Sequence, residues 1–107
     1  MPYDTDLDQR LSVAIAGWGT TRKKMFGGTC HLLSGNMLCG VYKDFLILRL
    51  GEEPARQAMS RPHVKPFDIT GRAMKGWVMV AKPGVTEEAL QAWLAEARRF
   101  VSALPPK

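Results

Sequence analysis

Cys30, His31, Cys39 and His63 are the side chains with the chemistry to hold zinc, since thiolate sulfur and imidazole nitrogen are the ligands that ion prefers. Their spacing contains no CxxC pair, and neighbours such as Cys30 and His31 project to opposite faces of a strand that carries both, so no metal site is expected. Nucleophilic catalysis needs a thiol or hydroxyl beside a base that a third group orients. The sequence offers His31 no identifiable carboxylate partner, and a thiol set in an apolar strand has a raised pKa and is inert. Glu52-Glu53 and Glu87-Glu88 stand where helix starts favour negative charge, which explains them better than acid–base work. The expectation is a protein without catalytic residues, metal or cofactor.

Two glycine-hinged stretches carry more information. Lys23-Lys24-Met25-Phe26-Gly27-Gly28, preceded by Arg22, and Gly71-Arg72-Ala73-Met74-Lys75-Gly76-Trp77 each set flexible glycines beside cations and large apolar side chains. That combination presents backbone N–H groups and positive charge to an anionic partner. Neither has the spacing of a dinucleotide or P-loop motif. Arg72 and Lys75 beside Trp77 would suit an anion or a stacked base. Charge supports the idea: the net value is +5, and between Pro54 and Lys82 six basic residues face Asp68 alone. Arg22, Lys23, Lys24, Arg72 and Lys75 are therefore the candidate contacts to nucleic acid, an anion or an acidic protein, against the plainer alternative of a solvated basic surface.

Three helices and about five strands must position these residues. Leu7, Leu11, Ala14, Ile15 and Trp18 make an apolar stripe over residues 4–18, with Asp4 as cap and Gly17 and Gly19 as the stop. Thr86, Glu87 and Glu88 open a stronger helix over 86–104, which Pro105 and Pro106 end. A short helix over 53–60 starts at Pro54 and stops before Pro62. Between them the spacing predicts a three-stranded meander from 29 to 50 and two further strands at 66–70 and 76–82. The result is an α+β fold in the order α-β-β-β-α-β-β-α, one domain over residues 1–107, with terminal helices flanking an antiparallel sheet.

If Gly35-Asn36 and Lys43-Asp44 are two-residue hairpin turns, the meander's faces can be assigned. Cys30, Leu32, Met37, Cys39, Val41, Leu46, Leu48 and Leu50 then form a pure core face. Thr29, His31, Leu33, Leu38, Gly40, Tyr42, Phe45, Ile47 and Arg49 share the other. Gly40 leaves a dip on that second face, and His31, Tyr42 and Arg49 around it would orient a small anionic ligand or nucleotide. The opposing explanation is that a helix packs into the dip. A one-residue slip would exchange the faces.

A chain of 107 residues supports one core, and 46% apolar with 23% charged residues is ordinary for a globular protein. The first ten residues carry Asp4, Asp6 and Asp8 where a secretory leader needs basic and apolar residues, and no apolar run approaches a membrane span. The expected compartment is the cytoplasm, with two reduced cysteines.

The ordered set Lys24-Met25-Phe26-Gly27-Gly28, Gly35-Asn36-Met37, Lys43-Asp44 followed by Phe45-Leu46-Ile47-Leu48-Arg49, Pro66-Phe67 and Gly71-Arg72-x-Met74 resembles the N-terminal domain of the TfoX/Sxy family, bacterial regulators of natural competence. The resemblance spans roughly residues 5 to 104. It implies an α/β domain with an antiparallel sheet and flanking helices, and a non-enzymatic role in assisting transcription. Full-length members add a C-terminal helical domain that this sequence lacks, and Gly76-Trp77-Val78-Met79-Val80 stands where the family has an aromatic-rich strand ending in Tyr. The partners it implies are nucleic acid, another protein or a second copy of the chain, with no membrane involved.

Overall fold

The computed structural model describes residues 3–25 (the Met25 side chain excepted), 28–68, 71 and 75–106. The first helix, α1 (Thr5–Ala14), starts because the Asp4 carboxylate accepts the Leu7 N–H at 2.9 Å, and Asp6 and Asp8 sit in the turn where the helix dipole favours negative charge. It stops four residues short of the sequence reading. Gly17 and Gly19 take φ values of 88° and 78°, which unwinds the chain before Trp18 can join the helix.

Four strands follow: β1 (Thr21–Met25), β2 (Gly28–Leu33), β3 (Asn36–Tyr42) and β4 (Phe45–Arg49). Then come α2 (Glu52–Ala58), β5 (Val64–Pro66), β6 (Trp77–Ala81), a 3-10 turn over Lys82–Gly84 and the long α3 (Glu87–Ser102). Thr86 caps α3 by accepting the Ala89 N–H at 3.2 Å. The strands form one antiparallel sheet of six in the order β1-β2-β3-β4-β6-β5. The α+β class and flanking helices stand as expected. The added strand is β1, and β5 begins two residues earlier than the sequence suggested.

The first hairpin turns at Ser34-Gly35, not Gly35-Asn36. Both residues have positive φ (53° and 82°), the mirror-image turn that matches strand twist, and Leu33 pairs with Asn36. The register then shifts: Leu32 pairs with Met37 but His31 with Cys39, so Leu38 is an extra residue in β3. Tyr42 pairs with Phe45 across the second turn, in the register expected. The bulge divides the residues between faces differently from simple alternation. Leu38, Cys39, Val41, Leu46, Leu48, Val78 and Val80 pack under α1 and α3 with Leu7, Leu11, Leu90, Trp93, Leu94 and Val101. Ile47, Phe67, Trp77 and Met79 make a second cluster on the opposite face, with Met37, Tyr42 and Phe45 against it.

Candidate functional site

The polar centre of the molecule lies between α1 and the β1–β2 edge. Asp8 flanks the apolar stripe of α1, one residue past the buried Leu7, and so points at the sheet while only 9% exposed. Its Oδ1 accepts the Thr29 hydroxyl at 2.8 Å, and its Oδ2 accepts Arg22 Nη2 at 2.9 Å. The same Nη2 reaches the Tyr3 hydroxyl at 3.4 Å. Arg22 and His31 are cross-strand partners in β1 and β2, so the register delivers both to the carboxylate.

His31 Nε2 stands 3.8 Å from Asp8 Oδ1, too far to hydrogen-bond, and has no hydrogen-bond partner among the described residues although its side chain is 3% exposed. Burial pushes the imidazole's pKa down, Arg22 adds to that, and Asp8 opposes it. Asp8 raises the Arg22 pKa through their hydrogen bond. Beside this cluster a cleft of about 540 Å³ opens, lined by Ser12, Ile15, Ala16, Gly17, Gly19, Thr20, Arg22 and His31. The expectation that His31 lacks a carboxylate partner is thus corrected: Asp8, on another element, faces it.

Of the basic residues singled out in the sequence, those the structure describes do not gather in one place. Arg22 projects toward α1 and Asp8, Lys23 pairs across from Cys30 and projects to the opposite face, and Lys24 returns to the α1 side across from Thr29. Lys75 precedes β6, four strand spacings or about 19 Å from β1. Arg72, like Phe26 and Gly27, lies outside the described residues. Trp77 is no open platform for a base: it is 8% exposed, Phe67 stands 5.5 Å away, and Arg49 lies over its ring at 5.4 Å.

The four residues proposed around a Gly40 dip are also divided. His31 is on the helix-covered face, whereas Gly40 pairs with Cys30 on one side and Ile47 on the other and belongs to the opposite face. Tyr42 and Arg49 lie toward opposite ends of that face, about 13 Å apart along β4 by the Tyr42–Phe45 pairing. Arg49 is engaged between Trp77 and Phe100, with centroid distances of 5.4 Å and 5.8 Å. Among the described residues no helix fills the dip either. A Cβ at Gly40 would lie 2.2 Å from the Thr29 carbonyl oxygen, so glycine is required by the close approach of β2 beside the bulge.

Cys30 and Cys39 are both fully buried and form no disulfide, and they lie on opposite faces, because the bulge breaks the alternation that would have placed them together. His63 is exposed in the turn before β5. Among the described residues no three His, Cys, Asp or Glu side chains converge to hold a metal, and no helix is long and apolar enough to cross a membrane.

The meander with its glycine-rich turns, the Pro66-Phe67 step into the second cluster and the flanking helices together carry the resemblance noted in the sequence. Comparison with curated proteins and with solved structures returns no match. The model of the TfoX N-terminal domain matches residues 15–101, which takes in every strand, and the chain belongs to that family.

Proposed function

We propose that the chain is a regulatory interaction domain of the bacterial cytoplasm that binds an acidic, extended segment of a protein partner along β1 and catalyses no reaction. The observation that carries this reading is the character of β1. It is one edge of the sheet, unpaired on its outer side among the described residues; Thr21 to Lys24 are exposed, and neither Lys23 nor Lys24 has an ion-pair partner among those residues. An unpaired edge offers main-chain donors and acceptors to a further strand, and alternating pockets and charges set its selectivity. Lysines on such an edge discourage a second copy of the same strand, because like charges would lie opposite one another. They favour a strand bearing Glu or Asp. Regulation through another protein also fits the role that the family resemblance implies.

Nucleic acid is the competing partner. A duplex would be held through Lys23, Lys24 and Lys75 as separate phosphate contacts, with steep salt dependence. Titrating the protein with an alternating Glu-Val peptide and, separately, with a DNA duplex at low and high salt distinguishes the two. The reading expects saturable peptide binding that the Lys23→Glu/Lys24→Glu double variant loses without a change in thermal midpoint. Duplex binding alone would replace the protein partner with nucleic acid, and peptide binding undiminished in the double variant would remove β1 from the interface.

A further inference from the structure

We propose that the cleft beside Arg22 is a binding site for a small monocarboxylate, with the guanidinium as its anchor and the hydroxyls of Ser12 and Thr20 beside it. The cleft, about 540 Å³ and open to solvent, has room for a short-chain acid. Arg22 is built for the task. Asp8 and Tyr3 both use Nη2, which fixes the plane of the guanidinium and leaves the other N–H donors of its fork uncommitted among the described hydrogen bonds, and the side chain remains 41% exposed. Ser12 and Thr20 line the same cleft, and neither side chain makes a hydrogen bond among the described residues.

A second feature couples the site to a proton. His31 lines the cleft, is buried, and keeps an unpartnered Nε2. A buried polar atom left without a partner is costly, and folded proteins retain few of them. The groups facing this imidazole are Asp8 from α1, Arg22 from β1 and the cross-strand Cys39 from β3. An anion seated on Arg22 offsets the guanidinium's field, which favours the protonated imidazole. That imidazolium in turn closes on Asp8, satisfying Nε2 and relieving the repulsion between the bound carboxylate and Asp8. Binding and proton uptake are therefore coupled, and by reciprocity the acid binds more tightly as His31 protonates.

Charge selects one carboxylate over a dianion. Ile15 to Gly17, which also line the cleft, follow the carbonyl end of α1, whose partial negative charge disfavours a second anionic group. Ala16 and Gly17 leave room for a short alkyl portion. The ligand class is thus a small aliphatic monocarboxylic acid, for which acetate is the simplest probe.

The test is a titration of the isotope-labelled full chain with sodium acetate, and separately with inorganic phosphate, followed by NMR. Expected are saturating shifts at Ser12, Gly17, Gly19, Thr20 and the Arg22 side-chain N–H, a rise in the His31 pKa, and tighter binding of acetate than of phosphate. Thr20→Val leaves the Arg22–Asp8 pair intact and weakens acetate roughly 3- to 10-fold, the worth of one hydrogen bond. Arg22→Gln abolishes binding. Shifts confined to Lys23 and Lys24, a His31 pKa indifferent to acetate, or Thr20→Val binding as tightly as the parent would each overturn the site, and phosphate binding more tightly than acetate would overturn the ligand class.

Discussion

His31 Nε2 and Asp8 Oδ1 face each other at 3.8 Å across the α1–β2 interface, close enough for charge to be felt and too far for a hydrogen bond. The carboxylate is already engaged by Thr29 and Arg22, so the neutral imidazole is left outside that network. This arrangement makes His31 a group that folding holds neutral.

Stability should consequently depend on pH through this residue. Burial, reinforced by Arg22, lowers the folded-state pKa below the ordinary 6.5, against the opposing pull of Asp8. The unfolded chain then binds more protons in the window between the folded value and 6.5, so stability is full above 6.5 and falls as pH drops through that window. Denaturant midpoints measured across that range should fall for the parent and stay flatter for His31→Gln. A parent midpoint that rises on acidification would show the imidazole to be stabilised as a cation.

At Gly40 the expected result is destabilisation on adding any side chain. The added Cβ meets the Thr29 carbonyl oxygen at 2.2 Å, and backbone in a paired strand has little freedom to retreat. Gly40→Ala should therefore cost about 1–3 kcal/mol in chemical denaturation, the usual range for overpacking, and Gly40→Val at least as much. A Gly40→Ala variant as stable as the parent would mean that β2 and β3 separate at the bulge more easily than this packing implies.

The same bulge marks where the sequence stopped being legible. The helix stripes, the caps at Asp4 and Thr86 and the apolar meander were readable, because periodicity and end signals are local. The extra Leu38 was not. One inserted residue moves Cys30 and His31 to the faces opposite those alternation assigned, and no local signal distinguishes Ser34-Gly35 from Gly35-Asn36 as the turn. Strand β1, Thr-Arg-Lys-Lys-Met, carries no apolar alternation because an exposed edge needs none. Asp8 and His31 meet only through tertiary packing. The available hint was that Asp8 borders the Leu7–Leu11 stripe, where a carboxylate must find a donor on the neighbouring element.

Both thiols should resist modification in the native state. Cys39 is fully buried, and burial together with the nearby Cys30 pushes its thiol pKa far up; burial also raises that of Cys30. Only the thiolate reacts, so labelling of either cysteine should await unfolding, and its rate should rise with denaturant in step with global opening. Prompt labelling of Cys30 with slow labelling of Cys39 would show that the face opposite the helices opens independently.

Removing the two members of the Arg22–Asp8 pair should not cost the same. Asp8 is the inner partner, its side chain 12% exposed against 41% for Arg22. Arg22→Met leaves the carboxylate with the Thr29 hydroxyl as its remaining donor among the described residues, in a site that water reaches poorly, and a loss of about 1–3 kcal/mol is expected for an undersatisfied buried acceptor. Asp8→Asn keeps an oxygen for Thr29, removes the charge that needed Arg22, and lets the guanidinium turn to solvent, so it should cost less. In the Asp8→Asn background, Arg22→Met should then be nearly neutral. The resulting double-mutant cycle should return a coupling energy within the 0.5–3 kcal/mol or so typical of groups sharing one network. Additive losses would mean that Arg22 stabilises the β1 edge through Tyr3 and packing of its stem, and that its bond to Asp8 contributes little. Asp8→Asn also withdraws the negative charge that supports protonation of His31, so the imidazole pKa, followed by NMR in the same variants, should fall further below 6.5.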